Sequence, residues 1–273
     1  MSATRIAGAA GVGLLAGGLS GLFGVGGGIL IVPGLVLILG MGQRMAHGTS
    51  LAAILPIAVS GVTAYALEGA VDWPAAALIV AGSAGGAVLG TYALRRLSQE
   101  LLRLLFGVFL LLTAARLLIN IQPAAGRSDL DLGMALALVL VGILSGTLAG
   151  LLGVGGGIVI VPALVILFSV PDAVAKGTSL AVIIPTALVG TLRNTRHRGA
   201  DLSVALLVGL FGVASAFIGS KVALGLEPRL SNILFAGLLF LVAARLLIRV
   251  PVRGRAPASP QGGGPASEGP GAP

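Results

Sequence analysis

The chain has 273 residues, 56% of them hydrophobic and 10% charged, with a mean hydropathy of +1.08. That composition excludes an ordinary soluble domain and predicts a protein embedded in a bilayer. The net charge of +8 does not point to nucleic acid: the basic residues sit in short loops at the ends of apolar runs, which is the pattern of membrane orientation.

In chain order, apolar runs long enough to cross a bilayer are predicted near 6–23, 49–66, 74–94 and 101–119. They recur near 132–152, 178–192, 202–223 and 230–248. Shorter apolar pieces, 29–39 and 158–168, each follow a glycine cluster. Eleven helical residues cover about 16 Å, half of a roughly 30 Å hydrocarbon core, so these pieces predict half-spans. The first run follows Arg5 much as a signal peptide would. Its residues 13–23 nevertheless match 142–152 in mid-chain, so it is expected to belong to the mature fold. From Pro251 the sequence turns rich in Pro, Gly and Ser, which predicts a disordered tail over 251–273. There is no cysteine, hence no disulfide and no thiolate metal site, and no cofactor is implied.

The elements come twice. GLFGVGGGILIVP (21–33) returns as GLLGVGGGIVIVP (150–162), identical at 11 of 13 positions and displaced by 129. The same offset carries GTSLAAILP (48–56) onto GTSLAVIIP (177–185) and AARLLI (114–119) onto AARLLI (243–248), without a gap. This predicts a first membrane repeat over 1–119, a linker over 120–131 and a second repeat over 132–250. Duplicated membrane units, each with a glycine-rich interruption, are the layout of a secondary transporter.

Loop charges set the orientation of the halves. The loop at 66–73 carries Glu68 and Asp72 and nothing basic, whereas its counterpart at 193–201 carries Arg193, Arg196 and Arg198 against Asp201. The next pair reverses the bias: Arg95, Arg96 and Arg103 in the first half, Lys221, Glu227 and Arg229 in the second. With basic loops kept in the cytoplasm, equivalent loops face opposite sides and both termini are cytoplasmic. The fold expected is therefore an all-α polytopic membrane protein with two repeats in inverted topology. Each half then needs an odd number of crossings, or three crossings plus a re-entrant hairpin at the glycine break. Two parallel halves of four long helices are the alternative.

The glycine clusters carry the chemistry. Gly24, Gly26, Gly27 and Gly28, and Gly153, Gly155, Gly156 and Gly157, each cost a helix about 0.8–1.0 kcal/mol relative to alanine. Backbone amides freed at membrane depth are tolerated only against protein or a wet cavity. A helix that restarts after such a break turns unsatisfied N–H groups and the positive end of its dipole toward it, which is an anion site made of backbone. Close helix packing is the competing explanation. It suffices for the regularly spaced Gly13/Gly17/Gly21, Gly142/Gly146/Gly150 and Gly82/Gly86/Gly90, but not for four glycines in five residues followed by Pro33 or Pro162. The cluster breaks the GxGxxG nucleotide pattern at its last position, and Lys176-Gly177-Thr178 has the wrong order for a phosphate loop.

Thr49/Ser50 and Thr178/Ser179 stand at the starts of predicted spans, where they can cap a helix, bond their own backbone or donate to an oxyanion. Pro56 and Pro185, one to two turns later, each free a carbonyl and predict hinges, as do Pro33 and Pro162. The candidate substrate site is thus Gly26, Gly27, Gly28, Thr49, Ser50, Gly155, Gly156, Gly157, Thr178 and Ser179. His47 and Lys176 are expected to snorkel to water, Asp72 and Asp201 to cap helices, and Arg116 and Arg245 to reach headgroups. All nine acidic residues fall in loops, span ends or the tail, so the cavity suits an anion. With no HExxH, no mid-membrane acid pair and no Ser–His arrangement, an intramembrane enzyme is not expected.

The repeated GxGGGxxxxP followed by GTSL…P resembles the sulfite exporter TauE/SafE family of inner-membrane permeases over roughly 6–250. The resemblance implies export of small sulfur oxyanions such as sulfite, sulfoacetate and related organosulfonates. It places the family's glycine signatures on Gly24–Gly28 and Gly153–Gly157, and its Thr-Ser signatures on Thr49/Ser50 and Thr178/Ser179. The partners expected are a small anionic substrate and the lipid bilayer. A carrier or channel for another small anion is the rival reading. The small-residue stripes suit packing within one chain or between copies of a homo-oligomer.

Overall fold

A computed structural model describes residues 3–93, 99–119, 131–152, 155–196 and 199–247. Most of the expected linker, the tail, Gly153 and the loop arginines Arg95, Arg96 and Arg198 lie outside them. The described residues form ten helices: α1 (Ala3–Phe23), α2 (Gly28–Leu37), α3 (Gln43–Leu67), α4 (Trp73–Ala93) and α5 (Gln99–Ile119), then α6 (Leu132–Leu152), α7 (Gly157–Leu167), α8 (Asp172–Arg196), α9 (Leu202–Gly225) and α10 (Pro228–Leu247). The second five repeat the first at the sequence offset. Helices α1, α3, α8 and α9 each include a stretch long and apolar enough to cross a membrane.

Helices α3 and α8 begin six residues before the expected spans. Hydropathy marks the part of a helix at membrane depth, whereas the hydrogen-bonded ladder runs on into the polar boundary through Arg44 and Asp172. Thr49 and Thr178 therefore sit almost two turns inside their helices and cap neither of them. Capping falls to the aspartates, as expected. Asp201 Oδ1 accepts from Ser203 N and Val204 N at the start of α9, and Asp72 Oδ1 accepts from Ala75 N at the start of α4.

Close approaches at glycine fix the direction of each helix. A Cβ added to Gly13, Gly17 or Gly21 would strike the carbonyl oxygens of Val208, Gly212 and Ala216 in turn, so α1 runs parallel to α9. Gly142 and Gly146 meet the carbonyls of Ile79 and Ser83 in the same way, so α6 runs parallel to α4. The equivalent helices α3 and α8 oppose each other, with Gly190 on Leu51, Gly61 on Leu180 and Gly177 on Tyr65. Corresponding helices of the two repeats are antiparallel, and the repeat is inverted.

The odd crossing number comes from a hairpin. Gly27 lies on Ala16, Gly34 on Val12 and Gly8 on Ile38, so α2 runs back down α1. With 10 residues, α2 covers about 15 Å, half the bilayer core. The α1–α2 hairpin returns to the face where it began, and α3, α4 and α5 then cross. The second repeat enters from the opposite face.

Burial forms two cores that do not coincide with the sequence repeats. One joins α1, α2, α3 and α9 around Ile31, Ile54, Ile57 and Val208. The other joins α4, α5, α6, α7 and α10 around Ile79, Leu110, Leu138, Ile160 and Leu239. Helix α8 serves both, giving Leu180 and Ile183 to the first and Ala175 and Val182 to the second. The repeats have exchanged α4 and α9.

Candidate functional site

Each break is built from glycine in a backbone conformation that other residues rarely adopt. Gly24, Gly26 and Gly27 have φ of 69°, 81° and 73°, and Gly155 and Gly156 have 82° and 78°. Gly27 and Gly156 are the N-caps of α2 and α7, and neither cap has a side-chain hydrogen bond. The earliest bonds to the caps come from Leu30 and Ile31 to Gly27 O, and from Val159 and Ile160 to Gly156 O. The amides ahead of these point toward the break, where the helix dipole places about half a positive charge.

The two breaks meet at the middle of the bundle. A Cβ on Gly26 would lie 2.9 Å from Ile183 and 3.5 Å from Ile54. One on Gly155 would lie 3.4 Å from Ile183, and one on Gly157 2.8 Å from both Gly24 O and Val25 Cα. Ile54 and Ile183 are equivalent residues near the midpoints of α3 and α8. Helices α2 and α7 start together there and run to opposite faces, with their N-termini converging.

All ten candidate substrate residues are buried. Ser179 ties α8 to the first break: its Oγ donates to Gly24 O at 2.7 Å. The threonines face elsewhere. Thr49 Oγ1 accepts from Asp201 N and Thr178 Oγ1 from Asp72 N, each at 2.9 Å, so each pins the start of α9 or α4 to its own core. The four prolines lie within α2, α3, α7 and α8. Beside Pro185, Thr186 Oγ1 donates to the carbonyls of Val182 (3.1 Å) and Ile183 (2.9 Å).

Converging half-helices in an inverted bundle are a transporter's architecture, and comparison with known proteins names its kind. The family model of the sulfite exporter TauE/SafE matches twice, over residues 2–130 and 138–271. The chain belongs to the TauE/SafE family. It is a multi-pass membrane transporter, similar to several probable membrane transporter proteins. YunE of Bacillus subtilis is 28% identical over 81% of this chain and 88% of its own length. A Xylella fastidiosa (strain Temecula1) protein is 31% identical over 88% and 94%, and one from Methanocaldococcus jannaschii is 26% identical over 87% and 93%. No solved structure matches.

Sequence reasoning missed several residues of this TauE/SafE protein. Lys176 was expected to reach water and is instead fully buried. The reason is local: Asp172, one turn earlier, lies 2.7 Å from its Nζ, and the Nζ donates to Ser231 Oγ of α10 at 2.5 Å. The i, i+4 spacing of opposite charges in DAVAK was the available signal. Tyr65, also fully buried, donates to Gly21 O at 2.8 Å and fastens α3 to the end of α1. At the same face Lys221 pairs with Glu68 at 2.5 Å and holds that carboxyl below the usual glutamate range. Arg116 is exposed near the end of α5, while the side chain of Arg245 lies outside the described residues. A cavity of about 160 Å³ opens between α5 and α7, lined by Leu112, Thr113, Arg116, Pro162 and Ile166 among others, away from the meeting point of the breaks.

Proposed function

We propose that this transporter carries small sulfur-containing oxyanions, such as sulfite, sulfoacetate or related organosulfonates, by alternating access. The observation that carries the reading is the shared origin of α2 and α7: two positive helix ends, capped only by left-handed glycine, converge at mid-bundle. The family's description as sulfite exporters supports the sulfur oxyanion as substrate.

The amides of Gly26–Gly28 and Gly155–Gly157 donate to the anion, with the hydroxyls of Ser50 and Ser179 beside them. Thr49 and Thr178 hold the starts of α9 and α4 and so keep the serines in place. Ile54 and Ile183 fill the point between the breaks, so the anion enters when the two cores separate. Because α8 belongs to both cores, that separation is a rocking at α8, with the prolines of α3 and α8 absorbing the bend. The face bearing Arg44 and the C-terminal end of α8 is cytoplasmic, together with both termini, in a bacterial plasma membrane.

Gly27→Leu and Gly156→Leu test the site. A side chain at Gly27 would meet Ala16 O within 2.8 Å, and one at Gly156 would meet Ser145 O at 3.0 Å, both with positive φ. Uptake of radiolabelled sulfite into proteoliposomes is expected to vanish in both variants while membrane insertion persists. Unchanged uptake in both rejects the site. Stimulation of that flux by internal sulfite distinguishes a carrier from a channel.

A further inference from the structure

We infer that Lys176 is the fixed positive charge of the anion site, and that the transported oxyanion displaces the Asp172 carboxylate from it. The inference rests on the anion-transport reading and extends it to a residue outside the glycine breaks. Lys176 is fully buried, its Nζ held by Asp172 Oδ2 and Ser231 Oγ, and Ser231 Oγ in turn donates to Asp172 Oδ2 at 2.7 Å. The other oxygen, Asp172 Oδ1, is buried and makes no hydrogen bond. The carboxylate is therefore satisfied on one side only. A carboxylate half satisfied in this way is an exchangeable partner for a buried ammonium.

The backbone that carries Lys176 adjoins the first break. A Cβ on Gly24 would fall 2.6 Å from Lys176 Cα, and Ser179, one turn further along α8, donates to Gly24 O. An oxyanion at the amides after Gly24 thus arrives next to the backbone that carries the ammonium. Oxyanion and carboxylate offer a lysine the same hydrogen-bonding chemistry, and the two compete for a single cation.

The inverted repeat supplies an internal control. The positions equivalent to Asp172 and Lys176 are Gln43 and His47, with Gln43 exposed and His47 half-buried. The same helix start therefore folds without an aspartate–lysine pair at these two positions. Desolvating two charges is costly, and an apolar replacement of a buried pair is often neutral or stabilising. An aspartate–lysine pair present at these positions of one half only, on the helix that meets the first break, is explained by the anion it binds rather than by the fold.

Four variants separate this role from a structural one: Asp172→Asn, Lys176→Met, the double variant D172N/K176M, and Lys176→Arg. Uptake of radiolabelled sulfite into proteoliposomes gives KM and maximal rate, and melting temperature with and without sulfite gives the linked stability. Asp172→Asn frees the ammonium from its competitor. It is expected to transport with KM lowered, and sulfite should raise its melting temperature more than that of the native chain. Lys176→Met and the double variant are expected to raise KM by about tenfold or more, as loss of a charged hydrogen bond does. Lys176→Arg should recover much of the loss.

A purely structural pair predicts the reverse order. Asp172→Asn would lose transport through an uncompensated buried charge, and the double variant would recover it. That order, or native KM in the double variant, overturns the inference while leaving the glycine site standing. A native protein that takes up no sulfite overturns both.

Discussion

Thr49 and Thr178 look alike in sequence to the serines that follow them, yet their oxygens accept from the backbone of Asp201 and Asp72. Replacing either with valine leaves a part-buried amide without its acceptor. A loss of about 0.5–1.5 kcal/mol is expected in each case, nearly equal in the two variants because the positions are related by the pseudo-twofold. Thermal unfolding in detergent measures it, and a loss in only one of them would break the symmetry argument. Gly27→Ala isolates the other local term, since alanine in the left-handed region costs about 1–2 kcal/mol before any steric conflict with Ala16. The pair between Glu68 and Lys221 makes a pH-dependent contribution of known sign. The folded carboxyl titrates below its unfolded value, so the contribution is present above the ordinary glutamate range and lost as pH falls through the lowered one. Acid unfolding curves of native protein and Lys221→Met should therefore converge at low pH and separate above it.

Glycines on one helix have opposite meanings according to what they face. Gly17 lies against Gly212 and Ser215 of α9, whereas nothing comes within 4 Å of a Cβ at Gly11. Gly17→Val is expected to cost about 3 kcal/mol or more by overpacking backbone against backbone, and Gly11→Val to be neutral. Equal melting temperatures for the two would contradict the parallel seating of α1 on α9. Much of this level was legible in the sequence: the spans, the half-length of α2 and α7, and the aspartate caps all follow from run length and residue type. The inversion was legible too, because Glu68 and Asp72 on one loop and arginines on its counterpart require opposite faces. The exchange of α4 and α9 was not. Membrane helices are apolar all round, so periodicity does not distinguish a face toward lipid from a face toward protein. For the same reason hydropathy missed the six polar-boundary residues that open α3 and α8. Lys176 was misread because a single lysine at a span end usually reaches water, and the Ser231 that holds it comes from α10, 55 residues away.

The described residues form two interlaced cores sharing α8 and, through Phe23, the end of α1, with each half of the sequence contributing to both. Under the alternating-access proposal this arrangement couples the two breaks, since opening either one moves α8 against α3. It also places the described ends of α3, α8 and α9 on opposite faces. The chain has no cysteine, so single cysteines report without background. Cysteines at Glu68 and Lys221 should react with an impermeant thiol reagent on intact cells, and one at Arg44 only after permeabilisation. The opposite pattern would reverse the orientation drawn from the loop charges. The binding site itself is best tested with selenite, the selenium counterpart of sulfite, whose anomalous scattering locates it in crystals of the native protein. A peak is expected within hydrogen-bonding reach, about 3.5 Å, of the amides at Gly26–Gly28 or Gly155–Gly157. Selenite found only at the α5–α7 cavity, or no ordered selenite in crystals of protein shown to transport it, would contradict a site made from the two glycine breaks.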